Sequence, residues 1–307
     1  MGTPDFAVAT LDALIKHGYP VVGVITAPDK PAGRGRKLQE SAVKIYAKEN
    51  GLLLLQPSNL KDGDFLDRLK GLEPDLQVVV AFRMLPKVVW ELPDMGTFNL
   101  HASLLPDYRG AAPINWAIIN GEKETGATTF FIDDKIDTGE ILLQATCPIS
   151  ETDTAGTLHD RLMYLGADLV LKTVKQLETR EIRSKKQQED THLKPAHKLD
   201  RETCKLDWEL PARQVYNKIR GLSPFPTAWT ILYNGGEEYF LKIYGASMEH
   251  LPHNEKIGTV IANKNELKVA VVDGYIKLLE IQLPGKRRMA TKEVLNGLKL
   301  KKNAHMG

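Results

Sequence analysis

Two uninterrupted apolar runs, VVGVIT at 21–26 and LQVVVAF at 76–82, constrain this chain more than any other feature. A strand with one wet face alternates polar and apolar residues, whereas a run with no polar break is covered on both faces, as in a parallel sheet layered with helices. The intervening segments supply those helices. SAVKIYAKENG (41–51) is amphipathic and ends on a glycine suited to a helix C-terminus; TLHDRLMYLGADLVLKTVKQLE (157–178) reads as a long amphipathic helix broken at Gly166. Further strands are expected at Thr97–Leu100, 127–132 and 140–149, giving an α/β domain over a mostly parallel sheet. Such a sheet ordinarily begins with a buried strand feeding its first turn. This sequence opens on MGTPDFAVATLDALIKHG, a turn running into a helix, so the first strand is expected to be missing.

The texture changes at Arg183. RSKKQQEDTHLKPAHKLDRE has no apolar period and reads as a linker, placing a first domain at 1–182, the linker at 183–199 and a second domain at 200–307. Beyond it, VYNKIRGLSPFPTAW joins a short helix to a proline-rich turn, and short apolar runs punctuated by Asn-Gly, Asp-Gly and Gly predict a small β-barrel. At 307 residues, two domains are the natural division. Charge divides with them: residues 1–182 hold 19 Lys and Arg against 25 Asp and Glu, and residues 183–307 hold 22 against 14. A basic second half suits a polyanionic partner, or simply a solvated lysine-rich surface. No apolar run approaches the roughly 20 residues of a membrane helix, and the N-terminus lacks a secretory pattern. Cys147 and Cys204 are too few for a disulfide framework and lack metal or redox spacing. A cytoplasmic protein is expected, and a monomer.

The chemistry concentrates in FNLHASLLPDYRGAAP (98–113). Asn99 and His101, two apart at the end of a strand, share a face at the carboxyl edge of a parallel sheet, where such folds bind ligands. An Asn-x-His pair alone is cheap, and its ordinary reading is structural. SLLP then gives a rigid apolar wall, and Pro113 suits the first turn of a helix. DDKIDTGEIL (133–142) loads three aspartates into one loop, by default a solvated turn. If Asp137 reaches His101 it orients the imidazole; an Asn donor, a His and an Asp without a Ser or Cys nucleophile fit direct acyl transfer better than an acyl-enzyme. The loop TAPDKPAGRGRKLQE (26–40) carries a Gly-x-Gly without the third glycine of a dinucleotide fingerprint. His159, His192 and His197 lack metal-ligand spacing, so no metal is expected. Trp208 and Trp229 read as packing residues.

Together, the Asn-x-His, the SLLP-x-Y-R-G-A-x-P run and the later Asp-Thr-Gly resemble the signature region of the folate-dependent formyltransferases. TPDFA, PDKPAGRGRKL (28–38), LPKVVW (85–90) and GLSPFPTAW point to the branch whose acceptor is initiator methionyl-tRNA. The resemblance implies a Rossmann-like N-terminal domain binding 10-formyltetrahydrofolate and a C-terminal OB-like barrel that helps grip tRNA. It places the catalytic residues on Asn99, His101 and Asp137, and the folate-contacting turn on Ser103, Leu104, Leu105 and Pro106. The pterin pocket is completed by Phe82, Arg83, Met84 and Leu85 and by the loop bearing Asp133 and Asp134. AFRMLP is one residue shorter than the usual Ala-Tyr-Gly-x-x-Leu-Pro and carries Arg83 where glycine is common. Arg34, Arg36 and Lys37 are expected to grip the tRNA acceptor end, and the cluster Lys286, Arg287 and Arg288 to touch RNA. Rival readings are formyl transfer to a glycinamide ribonucleotide or an amino-sugar nucleotide, hydrolysis of the folate to formate, and a non-enzymatic RNA-binding module.

Overall fold

In the computed structural model, residues 1–32, 37–188 and 192–307 are described. Contacts gather them into two units, Met1–Gly110 with Thr125–Pro148 and Asp160–Pro195, and Ala111–Glu124 with Ile149–His159 and Ala196–Gly307. This division differs from the expected one. Most of the segment read as a linker lies within the first unit, and two pieces of the first 182 residues lie within the second.

The first unit alternates strands and helices as its apolar runs require. Strands β1 (Val24–Ile25), β2 (Lys30–Ala32), β3 (Lys37–Gln39), β4 (Leu54–Leu55), β5 (Gln77–Val80), β6 (Thr97–His101), β7 (Glu124–Phe131) and β8 (Ile141–Pro148) accompany helices α1 (Asp5–Lys16), α2 (Ala42–Glu49), α3 (Gly63–Lys70) and α4 (Lys87–Trp90). Ser41 caps α2 by accepting from Lys44 N at 3.1 Å, and Asp62 caps α3 by accepting from Phe65 N at 3.1 Å. β1 pairs β4 in parallel, β5 pairs β6 in parallel, and β7 returns antiparallel along β6. Met1 and Gly2 lie at the opening strand position. Gly2 bridges Val80 in the parallel sense and donates its N–H to Ile25 O at 3.0 Å.

One expectation is corrected here. Helix α6 (Ala155–Glu178) runs unbroken through Gly166. Within the first unit, a Cβ at Gly166 would stand 2.8 Å from Leu100 Cδ2, so the glycine lets the helix approach β6 rather than ending it.

In the second unit, helices α5 (Pro113–Ile119) and α7 (Ala212–Gly221) join, and Asn115 Nδ2 donates to Gly221 O at 2.8 Å. The barrel comprises β9 (Ala228–Asn234), β10 (Glu237–Glu249), β11 (Val260–Ala262), β12 (Leu267–Val271), β13 (Gly274–Gln282), β14 (Met289–Ala290) and β15 (His305–Met306), with α8 (Thr291–Leu295) between the last two. Its order is β11-β12-β13-β10-β9-β15, antiparallel wherever register is defined, and a Thr259–His305 bridge joins the two ends of that path. The barrel is therefore nearly closed. Leu232, Leu241, Ile243, Leu267, Ile276 and Leu278 fill it. Trp208 and Trp229 are buried there, their indole N–H groups donating to Thr230 Oγ1 and Arg201 O, as packing residues should.

Candidate active site

The site is built at the carboxyl end of β6. Register places Asn99 opposite Val79 on one side and Phe130 on the other, with His101 opposite Thr128. Period-two alternation puts Asn99 and His101 on one face. Their surroundings differ sharply. Among the described residues no hydrogen bond within the protein occupies the half-buried Asn99 carboxamide, so its N–H groups are available to a ligand. His101 is buried and held: Nε2 lies 2.8 Å from Tyr108 O. A carbonyl only accepts, so Nε2 carries the proton in that bond and Nδ1 faces outward from it.

Nδ1 faces Asp137, with Oδ2 at 3.7 Å. That is ionic proximity rather than a hydrogen bond. The carboxylate is anchored elsewhere: Gly110 N donates to Oδ2 at 2.8 Å. Asp137 itself has φ of 57°, in the left-handed region that a non-glycine residue adopts at a cost of about 1–3 kcal/mol, a feature concentrated at functional sites. The following Gly139 has no room for a side chain, since a Cβ there would sit 1.7 Å from Phe131 O.

Two supports of this loop escaped the sequence reading. Gln187 Nε2 donates to Asp137 O at 2.9 Å and to Gly139 O at 2.8 Å. Arg109 in turn grips Gln187 Oε1 with Nε and Nη2, at 3.1 and 2.6 Å. Gln187 sits in the polar segment read as a linker, and composition there gave no sign of a partner 50 residues away. The Lys194 carbonyl, from the same segment, accepts from Tyr108 N at 2.6 Å, steadying the residue whose own carbonyl holds His101.

The SLLP turn is clasped by side chains from β7 and β8, Gln144 Nε2 donating to Leu105 O at 2.9 Å. Thr128 Oγ1 donates to Ser103 O at 2.7 Å and accepts from Leu105 N at 3.1 Å and Gln144 Nε2 at 3.0 Å. Ser103 Oγ donates to Asp107 O at 2.7 Å. Ser103 and Leu105 are buried, while Leu104 and Pro106 are half-buried and form the part of the turn open to contact.

The remaining expected residues fall into three groups. Leu85 lies in a buried cluster with Phe82 and Ile132 packed against it, so the 82–85 segment and the loop after β7 do come together. Met84 and Asp134 are exposed, and the Arg83 guanidinium donates to the carbonyls of Pro57 and Ser58. Asp133 serves its own loop, accepting from Thr138 Oγ1 and Lys135 N. Arg34 and Arg36 lie outside the described residues; Lys37 opens β3. In the second unit, Lys286, Arg287 and Arg288 are exposed on the turn between β13 and β14, with Arg288 paired to Glu280 and stacked 4.5 Å from the Tyr244 ring centroid.

This geometry joins a free amide donor, an oriented imidazole and an anchored carboxylate beside an apolar turn. Residues 1–174 match the formyl transferase family, and residues 198–299 match its C-terminal domain. The chain belongs to the formyl transferase family. It is 57% identical over 298 residues to the methionyl-tRNA formyltransferase of Flavobacterium johnsoniae, an alignment covering 97% of this chain and 95% of that one. Identity to the methionyl-tRNA formyltransferase of Bacteroides fragilis is 53% over 305 residues, covering 98% and 94%. The fold also matches the solved N-formyltransferase from Helicobacter canadensis in complex with folinic acid and dTDP-3-aminofucose, with TM-score 0.66, 20% identity and coverage of 94% and 97%. Among the described residues no helix is long and apolar enough to cross a membrane.

Proposed function

We propose that this formyltransferase moves the formyl group of 10-formyltetrahydrofolate onto the α-amino group of initiator methionyl-tRNA, by direct acyl transfer, in the cytoplasm and as a monomer. The observation that carries the reading is its 52–57% identity, over nearly its whole length, with methionyl-tRNA formyltransferases. The residues fit the donor: the apolar patch of Phe82, Leu85 and Ile132 suits a flat ring, and the clasped turn at 103–106 offers Leu104 and Pro106 to its side. When bound, the folate supplies an activated formyl carbon.

The chain's own groups do the rest. Asn99 donates to the oxygen that gains negative charge as the amine adds, an interaction typically worth about 2.7–4 kcal/mol of barrier. Nε2 of His101 is held by Tyr108 O, so the ring acts through its other nitrogen. A proton on Nδ1 makes the ring a cation facing Asp137, and that charge lies beside the developing anion. Asp137 accepts a proton from the attacking amine and would pass it to folate N10 as the bond between N10 and the formyl carbon breaks and tetrahydrofolate leaves; the amine must be neutral to react, and a free α-amine, with a reference pKa near 7.7–8.0, is partly so at cellular pH. Arg34, Arg36 and Lys37, with Lys286, Arg287 and Arg288, supply cations for tRNA phosphates. Alanine at 286, 287 and 288 together is expected to weaken tRNA binding and flatten its log–log salt slope by roughly 0.7–0.9 for each phosphate no longer neutralised. An unchanged slope removes this cluster from the interface.

The deciding assay follows the formyl group from 10-formyltetrahydrofolate to product with initiator methionyl-tRNA, with a nucleotide-linked amino sugar, and with no acceptor. Formyl-methionyl-tRNA as the dominant product is expected. Formylated sugar, or formate released equally fast without acceptor, sinks the reading.

A further inference from the structure

Helix α7 has two unlike faces. Ala212, Val215 and Ile219, three and four residues apart, are buried in the barrel core. Arg213, Asn217 and Arg220 repeat that spacing on another face, and there they line a cavity of about 920 Å³ within the second unit. α5 brings Trp116 and Ile119 to the same cavity, with the turn at 120–123 and the segment 149–151 beside them.

This face holds hydrogen-bond donors that the protein does not use. Arg220 is 6% exposed, yet among the described residues no carboxylate lies within ion-pair distance of it. Its Nε donates to Asn217 Oδ1 at 2.9 Å and its Nη1 to the carbonyls of Ser150 and Asp153 at 3.0 and 3.1 Å. Nη2 has no partner among the described residues. Asn217 is 5% exposed, and its Nδ2 is likewise unpartnered; it lies against Gly121, another residue of the cavity wall, where a Cβ would stand 2.9 Å away. Lys218, half-buried on the next position, also has an ammonium without a partner among the described residues. Burial pushes both Lys218 and Arg220 below their ordinary pKa values, a mismatch that an anion in the cavity would relieve.

Charge and size narrow the ligand. Lys123, Arg213, Lys218 and Arg220 line the cavity against Glu122 and Glu151, a surplus of two positive charges that one phosphomonoester dianion neutralises. The two carboxylates oppose a longer phosphate chain. Inorganic phosphate alone would leave most of the volume empty, and Trp116, Ile119 and Leu210 offer apolar surface to a flat ring.

We propose that this cavity binds one nucleoside monophosphate, its phosphate on Arg220 Nη2, Asn217 Nδ2 and Lys218 Nζ and its base against Trp116, Ile119 and Leu210. The donors are charge-assisted or held in place by Arg220, so the site is formed before the ligand arrives.

The test titrates the full chain calorimetrically with AMP, GMP, CMP and UMP in turn. Saturable binding of at least one of them, at one site per chain, is expected, with its nucleoside, its triphosphate and inorganic phosphate each at least about tenfold weaker. Asn217→Asp keeps the oxygen that accepts from Arg220 but replaces the open donor with an acceptor, and Lys218→Gln removes a cation that supports nothing else. Each is expected to weaken the nucleotide at least about tenfold while circular dichroism and thermal midpoint show a folded chain. No saturable binding of any of the four at about 5 mM overturns the proposal, as does undiminished binding to folded Lys218→Gln. Inorganic phosphate binding as tightly as the nucleotide leaves an anion hole only, and an RNA oligomer ending in a phosphate binding more tightly than every mononucleotide gives the site to RNA; either result overturns the assignment.

Discussion

The two β structures in this chain treat their edges in opposite ways. In the second unit the strand path runs round until Thr259 meets His305, and its interior is a continuous set of aliphatic side chains. In the first unit, among the described residues, β1 and β5 are joined through Met1 and Gly2 and the sheet does not close on itself. Closure satisfies backbone groups and leaves side chains little to do but pack. The open sheet keeps polar groups at its strand ends, some held, as His101 is, and others, among the described residues, with donors left open, as Asn99 has. Stability and chemistry are therefore expected to respond to different substitutions.

The largest effect tests the barrel. Leu241→Ala removes a fully buried side chain and is expected to cost about 2–5 kcal/mol of stability by denaturant unfolding, with turnover per folded molecule unchanged. Asn99→Ala is the converse: turnover is expected to fall about 10²–10³-fold with little change in thermal midpoint, because the carboxamide supports nothing else in the fold. A large drop in midpoint with near-normal rate would reverse the assignment. Thr128→Val keeps the volume but strands Leu105 N and the Ser103 carbonyl, so a loss of about 1–3 kcal/mol and a raised KM for the folate are expected from unfolding and steady-state kinetics.

Much of this architecture was legible because it depends on local pattern. VVGVIT and LQVVVAF mark strands by the absence of polar breaks, though the strands are shorter than the runs, Val24–Ile25 and Gln77–Val80, and Val22 is exposed; Asn-x-His fixes a shared face by period alone. What escaped depends on distance along the chain. Gln187 reaches Asp137 from a segment whose composition is that of a linker, and nothing in a polar run says which carbonyl it will meet. Gly166 was misread for a related reason: propensity counts the glycine as a break, while Leu100, far back in sequence, makes its lack of a side chain a fit. The His101–Asp137 relation was half visible. The two residues do meet, but Tyr108 O and Gly110 N take the bonds they were expected to give each other.

The Thr128 hydroxyl, from a neighbouring strand, joins two backbone groups of the 103–106 turn to the Gln144 side chain on β8. The outward residues Leu104 and Pro106 are consequently carried on a frame they do not themselves maintain. Retooling this enzyme for an altered one-carbon donor should begin at those two positions, where shape can be revised while bonds from Thr128 and Gln144 keep the wall standing.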